Sequence, residues 1–263
     1  MTSPILVTGG TGTLGRLVVR RLRNADCNVR VLSRRSHESG DGIEFMTGDL
    51  ATGVGIEPAV NGVDTIVHLA GSAKGDEDKA WNLVRASSRA GAPHLVYISV
   101  VGADRIPMVS RVDRAMFGYF GSKLAAERLV ADSGLPFTTL RATQFHNLIL
   151  TVARQLAKLP VVPVPAGFRF QPVDTDEVAA RLVELTLGKP GGLVPDIAGP
   201  QVYGAADLLR GYLRASKWRR RPIVPVWLPG KAARLFRDGG NLAPEHTVGR
   251  RTWEEFLAER LDT

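Results

Sequence analysis

Seven residues near the start, Gly9-Gly10-Thr11-Gly12-Thr13-Leu14-Gly15, constrain this chain more than any other stretch. Ahead of them, residues 4–8 (Pro-Ile-Leu-Val-Thr) are apolar and β-branched, which predicts a short strand buried on both faces. After them Leu14, Leu17, Val18 and Leu22 recur at helical spacing, with Arg16, Arg20 and Arg23 between. The glycines at 9, 12 and 15 therefore lie where a strand turns into a helix. A turn that is tight, that packs hard on the strand and that lets a ligand approach the backbone calls for glycine at these places. The N–H groups and positive dipole end at such a helix start suit a phosphate. Gly9, Thr11, Gly12, Thr13, Leu14 and Gly15 are thus the predicted pyrophosphate cradle.

The rest of the first half keeps the same rhythm. Strands are predicted at residues 28–33, 43–47, 65–70, 95–99 and 137–141, and helices at 55–61, 76–90 and 122–132. Trp81, Leu83 and Val84 are predicted on the inner face of the helix at 76–90. Strands alternating with helices at this spacing make right-handed βαβ units, so the expected fold is α/β, a Rossmann-type doubly wound parallel sheet. Beyond residue 142 the rhythm loosens, with prolines at 160, 163 and 165 marking irregular chain. Asp174 and Glu177 have the spacing of an N-cap and capping box ahead of a helix at 178–187. A strand at 193–198, a helix at 205–215 and a tail with Trp227, Trp253 and Phe256 complete a smaller C-terminal substrate-binding lobe. Residues 1–150 are expected to form the nucleotide-binding core. Residues 151–263 are expected to form a lid portion interleaved with that core as one structural domain.

Charge and composition narrow the class. Lys and Arg number 34 against 26 Asp and Glu, a net charge of +8, but the basic residues are scattered. The densest cluster, Lys217-Trp218-Arg219-Arg220-Arg221, reads as the cationic end of a surface helix rather than a nucleic-acid patch. One cysteine, Cys27, allows no internal disulfide and fits a reducing compartment. An early first strand, and no apolar run long enough for a bilayer, predict a cytoplasmic protein without membrane attachment. His37, His68, His94, His146 and His246 lack ligand spacing, so no metal site is expected. No Gly-x-Ser-x-Gly elbow suggests a hydrolase.

Two further places carry chemistry. At the end of the second strand, Ser33-Arg34-Arg35 stands where an acidic residue would accept the ribose hydroxyls of NAD. Arginine there can hold a 2′-phosphate, which favours NADP(H), although Glu38 and Asp41 follow closely. The second place is Tyr119-Phe120-Gly121-Ser122-Lys123, whose tyrosine and lysine share one face if the segment is helical. An ammonium beside a phenol favours the phenolate and is expected to lower its pKa, tuning it for proton transfer. Ser99, ending the fifth strand, can donate a hydrogen bond to the same substrate oxygen.

Thr8-Gly9-Gly10-Thr11-Gly12-Thr13-Leu14-Gly15, Gly48-Asp49-Leu50, Leu69-Ala70-Gly71, Tyr97-Ile98-Ser99 and Tyr119-x-x-x-Lys123 together resemble the short-chain dehydrogenase/reductase superfamily. Residues 133–141, Ser-Gly-Leu-Pro-Phe-Thr-Thr-Leu-Arg, resemble its atypical, NmrA-like branch, which includes reductases and NADP-sensing regulators. The resemblance implies that Gly9, Gly12 and Gly15 cradle the pyrophosphate and Arg34 the 2′-phosphate. It places Asp49 and Leu50 at the adenine, and Ala70 and Gly71 beside the ribose. Lys123 would hold the nicotinamide ribose, and Tyr119 would be the proton donor. The segment between Ser99 and Tyr119 is longer than in the classical enzymes and carries Arg105, Arg111 and Arg114. The expected activity is NADPH-dependent reduction of a carbonyl, quinone or enone. The alternatives are a non-catalytic NADP(H) sensor and a sugar-nucleotide epimerase or dehydratase. Phe117, Phe145 and His146 are candidate substrate contacts, and the phenylalanines suggest an apolar or aromatic substrate.

Overall fold

The computed structural model describes residues 3–72, 75–216 and 221–261. The cluster at 217–220 lies outside the described residues. In chain order the elements are β1 (Ile5–Thr8), α1 (Thr13–Asn24), β2 (Val29–Ser33), β3 (Ile43–Thr47), α2 (Ile56–Val60), β4 (Thr65–His68) and α3 (Asp76–Arg89). Then come β5 (His94–Val100), α4 (Arg111–Ala131), β6 (Phe137–Ala142), α5 (His146–Leu156), β7 (Val162–Pro165), β8 (Arg169–Phe170) and α6 (Thr175–Leu187). The chain ends through β9 (Gly192–Leu193), β10 (Tyr203–Gly204), α7 (Ala205–Ala215), β11 (Ile223–Val226), α8 (Lys231–Asp238) and α9 (Trp253–Leu261).

Two compact units share this chain. The first comprises Met1–Ser99, Gly118–Arg141 and Asp176–Pro195; the second comprises Val100–Phe117, Ala142–Thr175 and Asp196–Thr263. In the first, seven strands form a sheet in the order β3-β2-β1-β4-β5-β6-β9. β1 pairs in parallel with β2 on one side and with β4 on the other. The chain thus starts at the sheet's centre, runs outward to β3 and returns beside β1. The strand order reverses at the carboxyl ends of β1 and β4, the place where such sheets bind ligands. This is the Rossmann-type, doubly wound α/β architecture that the alternation of elements predicts.

The pleat assigns the two faces. Leu6, Leu32, Ile66, Leu95 and Tyr97 form one buried cluster with Ile56 and Ala59 of α2, Leu83 of α3 and Ala126 and Val130 of α4. Val31 points the other way, and a Cβ on Gly10 of the turn would meet both Val31 and Val19 of α1. β1 is buried throughout, as a strand covered on both sides must be. Trp81 departs from expectation: it is 53% exposed, and Ala80 joins Leu83 and Val84 on the inner face of α3 instead.

α4 is longer than the pattern predicts, starting at Arg111 rather than near 122. Its start is a capping box that the sequence reading passed over. The Ser110 hydroxyl accepts the Asp113 N–H at 3.0 Å, and the Asp113 carboxylate accepts the Ser110 N–H at 3.0 Å. Farther along, Glu127 takes a bidentate grip on Arg141 of β6, at 3.0 Å to Nε and 2.6 Å to Nη2, both side chains being buried. That pair ties the second half of α4 to the sheet.

In the second unit α5, α7 and α9 pack around Leu150, Leu208, Leu209, Tyr212, Trp253 and Phe256. β7 and β11 pair in parallel and β8 and β10 antiparallel, forming two small separate sheets. α6 begins directly after Asp174, as the predicted cap requires, and the Asp174 carboxylate also accepts Arg251 at 2.9 Å. The strand expected at 193–198 is only two residues long; Ile197 continues as an isolated bridge to Ala142.

Removing one partner of a buried pair leaves the other charge without its main compensation. Glu127→Ala should therefore lower unfolding stability by about 3–5 kcal/mol, measured by denaturant titration, while the exposed pair partner substitution Glu57→Ala should change it by less than about 1 kcal/mol.

Candidate active site

The glycine turn is built by crowding. Gly9 has φ +70°, and a Cβ on it would lie 2.8 Å from the Ala70 backbone nitrogen. A Cβ on Gly15 would lie 2.0 Å from the Gly9 carbonyl oxygen. Strand, turn and helix thus meet with no room for a side chain. Thr11, Gly12 and Thr13 are exposed, whereas Leu14 is buried and anchors the helix. No side chain caps α1, and no acidic residue lies in its first turn. Its leading N–H groups are therefore available to an anion at the point where the strand order reverses. The residues present fit a dinucleotide pyrophosphate.

The adjoining strand ends are ordered around this turn. The Ser33 hydroxyl, at the end of β2, accepts the Arg35 N–H at 3.2 Å and meets His37 Nε2 at 3.1 Å. Arg34 and Arg35 are exposed. The Asp49 carboxylate accepts the Ala51 N–H at 2.9 Å, while Leu50 is buried and its carbonyl accepts Asn82 at 2.9 Å. Ala70 and Gly71 follow β4, closed by a Gly71 N–H to Leu69 carbonyl bond of 2.8 Å.

Tyr119 and Lys123 lie one turn apart on α4, with the ammonium 5.8 Å from the Tyr119 ring centre. Lys123 is buried. Its Nζ is 3.1 Å from Asp76 Oδ2, 3.3 Å from the Tyr97 hydroxyl and 3.2 Å from the Ile98 carbonyl. Burial pushes Lys123 below the usual lysine range, opposed by the charge of Asp76. For Asp76, burial favours the neutral acid, but the Lys123 ammonium and the Ser72 N–H outweigh it and hold the carboxyl below its ordinary value. Tyr97 is forced well above ten by burial and by Asp76. Against it stacks His68 at 5.4 Å, bonded through Nδ1 to the Thr8 hydroxyl at 2.7 Å. Burial and the Lys123 charge push His68 down to about 3.

The Tyr119 phenol corrects one expectation. It is raised to about 12, by partial desolvation and then by the Asp76 charge, rather than lowered by its lysine. Desolvation is the larger cause, and the Asp76 carboxylate paired with Lys123 adds to it. Ser99 is buried near the end of β5, and its hydroxyl has no hydrogen-bond partner among the described residues.

Residues 9–185 match the family described as NAD(P)H-binding. The chain belongs to that family. Among characterised proteins, the chain is similar to a (4-alkanoyl-5-oxo-2,5-dihydrofuran-3-yl)methyl phosphate reductase of Streptomyces griseus, 29% identical over 77% of this chain and 70% of the relative. An NAD(P)H azoreductase of Xenophilus azovorans is 26% identical over 89% of this chain and 80% of its own length. Among solved structures, an NADPH-dependent quinone oxidoreductase of Escherichia coli in complex with NADPH superposes with a TM-score of 0.78 at 20% identity, covering 97% of this chain and 99% of the other. These similarities agree with the short-chain dehydrogenase/reductase resemblance of the sequence. No described helix is long and apolar enough to cross a membrane.

The expected substrate contacts lie elsewhere than on an open surface. Phe117 is buried in the second unit, with its ring 5.0 Å from Phe236 and 6.2 Å from Phe168. His146 is fully buried there, stacked 5.0 Å from Phe256 and 5.9 Å from Trp253, with neither ring nitrogen hydrogen-bonded. Phe145 is half-buried and supplies the backbone that starts α5. The periodicity of α9 was not recognised in the sequence, so the aromatic lining that encloses His146 was not anticipated. Asp76, Tyr97 and His68 were likewise missed; a lone aspartate opening a helix reads as a cap.

Burial pushes His146 down to about 4 and His68 to about 3, both from 6.5. A histidine depressed in the folded state contributes stability that is present above pH 6.5 and lost as pH falls toward its folded value. The thermal midpoint should drop steadily below about pH 6.5. His146→Phe, which keeps the aromatic stack, should make that slope shallower, recovering on the order of 3 kcal/mol by pH 4; an unchanged slope would remove His146 as its source.

Proposed function

We propose that the protein is an NADPH-dependent reductase acting on a carbonyl, quinone or enone. The observation that carries this reading is the Tyr119–Lys123 pair on α4, in the same unit as the uncapped glycine turn. Gly9, Thr11, Gly12, Thr13, Leu14 and Gly15 would hold the pyrophosphate. Ser33, Arg34 and Arg35 would meet the 2′-phosphate, Asp49 and Leu50 the adenine, and Ala70, Gly71 and Lys123 the nicotinamide ribose. When bound, the dinucleotide supplies a hydride.

The chain's own residues handle the proton. Tyr119 donates its phenolic proton to the substrate oxygen as negative charge develops there, and the Ser99 hydroxyl, with no other partner, donates a hydrogen bond to the same oxygen. A phenol held near 12 stays protonated throughout the neutral range. An alkoxide is more basic than a phenolate, so donation remains downhill. The reverse role, proton abstraction from an alcohol, needs a phenolate that is scarce at this value. The raised phenol therefore stays in the protonated form that reduction uses. Relatives named as reductases and an azoreductase support the same direction.

Fluorescence titration should show tighter binding of NADPH than of NADH, and Arg34→Ala should weaken NADPH by about tenfold, one charge-assisted contact, while leaving NADH unchanged. NADPH oxidation against a panel of quinones, enones and ketones should proceed, with Tyr119→Phe lowering kcat by on the order of 100-fold. Tight binding without oxidation of NADPH by any acceptor would favour a dinucleotide sensor. Failure to bind either nucleotide would overturn the reading.

A further inference from the structure

Asp76 has no part in the roles assigned above, yet it is among the most deeply buried carboxylates of the first unit. It opens α3 directly after Gly75, whose φ of +76° turns the chain sharply into the helix. Its Oδ1 accepts the Ser72 N–H at 2.8 Å and faces Lys79 Nζ at 3.3 Å. Oδ2 faces Lys123 Nζ at 3.1 Å, and the Asp76 N–H donates to the Ser122 hydroxyl at 3.3 Å. One residue of α3 thus grips two successive residues of α4.

Gly71 completes the arrangement. A Cβ there would lie 3.1 Å from Lys123 Nζ and 3.3 Å from Asp76 Oδ2. Gly71 is exposed, so its backbone lies between the ion pair and solvent on that side. The ammonium donates to the Tyr97 hydroxyl and the Ile98 carbonyl, and the carboxylate paired with it, 3.1 Å away, is Asp76.

We propose that Asp76 is the positioning residue for Lys123, holding its ammonium beneath Gly71 where the ribose of a dinucleotide would meet it. This rests on the reading of Lys123 as a dinucleotide contact. The other groups facing the ammonium cannot replace Asp76. Lys79 on α3 repels it; Tyr97 on β5 and Tyr119 on α4 are uncharged; His68 on β4 is neutral; Glu127 on α4 is bound to Arg141. Without Asp76 the buried lysine would shed its proton at a lower pH than in the parent protein.

Asp76→Asn keeps an acceptor for the Ser72 N–H and removes only the charge. The test follows Lys123 by NMR of ε-carbon-labelled lysine, assigned with Lys123→Met, alongside NADPH affinity at each pH. In Asp76→Asn the Lys123 midpoint should fall by more than one pH unit, a tenfold loss in proton affinity. NADPH Kd should rise about tenfold more than in the parent protein as pH is raised from about 6 to about 9. Asp76→Glu should restore both. An unmoved Lys123 midpoint would overturn the proposal. A lowered midpoint with NADPH affinity following pH as in the parent protein would support the Asp76–Lys123 coupling and overturn the dinucleotide role of Lys123. Should Asp76→Asn fail to fold, adding Lys123→Met should restore a parent-like thermal midpoint, because no uncompensated charge remains; a double variant that stays unfolded would also overturn the proposal.

Discussion

The architecture depends on one steric constraint, the meeting of three backbones at the carboxyl end of β1. Gly9 abuts the chain leaving β4, and Gly15 on α1 abuts Gly9. A methyl group at either position would need space already occupied by backbone, which cannot swing aside as a side chain can. The central strand, its crossover helix and the returning strand are therefore locked at the point where the strand order reverses. The same closeness leaves the first N–H groups of α1 without competitors. Packing and binding capacity are here one feature.

Around that turn the first unit gathers charge at low solvent exposure. Lys123 and Asp76 form a buried pair, and a second pair, Glu127 and Arg141, follows one turn farther along α4. Pairs of this kind contribute little net stability, since desolvation offsets much of their attraction. What they supply is placement. Glu127 fixes the helix to β6, and Asp76 fixes the ammonium one turn from Tyr119. The helix that carries the candidate chemistry is thereby referenced to both the sheet and α3. Tyr119 is held at about 12, first by desolvation and then by the Asp76 charge, so the phenol stays protonated throughout the neutral range.

Much of the first unit was legible in sequence. β3 was expected at residues 43–47 and is found there; in the second unit, α7 was expected at 205–215 and is found there. Strands buried on both faces announce themselves as apolar β-branched runs, whichever neighbours they acquire. The second unit was less legible. α5, β7, β11, α8 and α9 lie in chain broken by prolines and glycines, where short amphipathic segments have no distinctive length. α4 was read short because Gly118 and Gly121 weaken its helical signal, although Ser110 and Asp113 mark its true start. Phe117 and His146 were read only as candidate substrate contacts, and the aromatic rings from distant sequence that enclose each were not legible.

By itself the sequence determined the strand–turn–helix at residues 5–24, the alternation that builds a parallel sheet, and the membership of the dinucleotide-binding class. These are local matters: glycine spacing and hydrophobic period are written within a dozen residues of the structure they specify. Only the tertiary structure decided the electrostatics of the candidate site. Asp76 lies 47 positions before Lys123, and neither residue carries any mark of the other. The pKa of a side chain depends on which charges and how much solvent surround it, and folding alone brings those together.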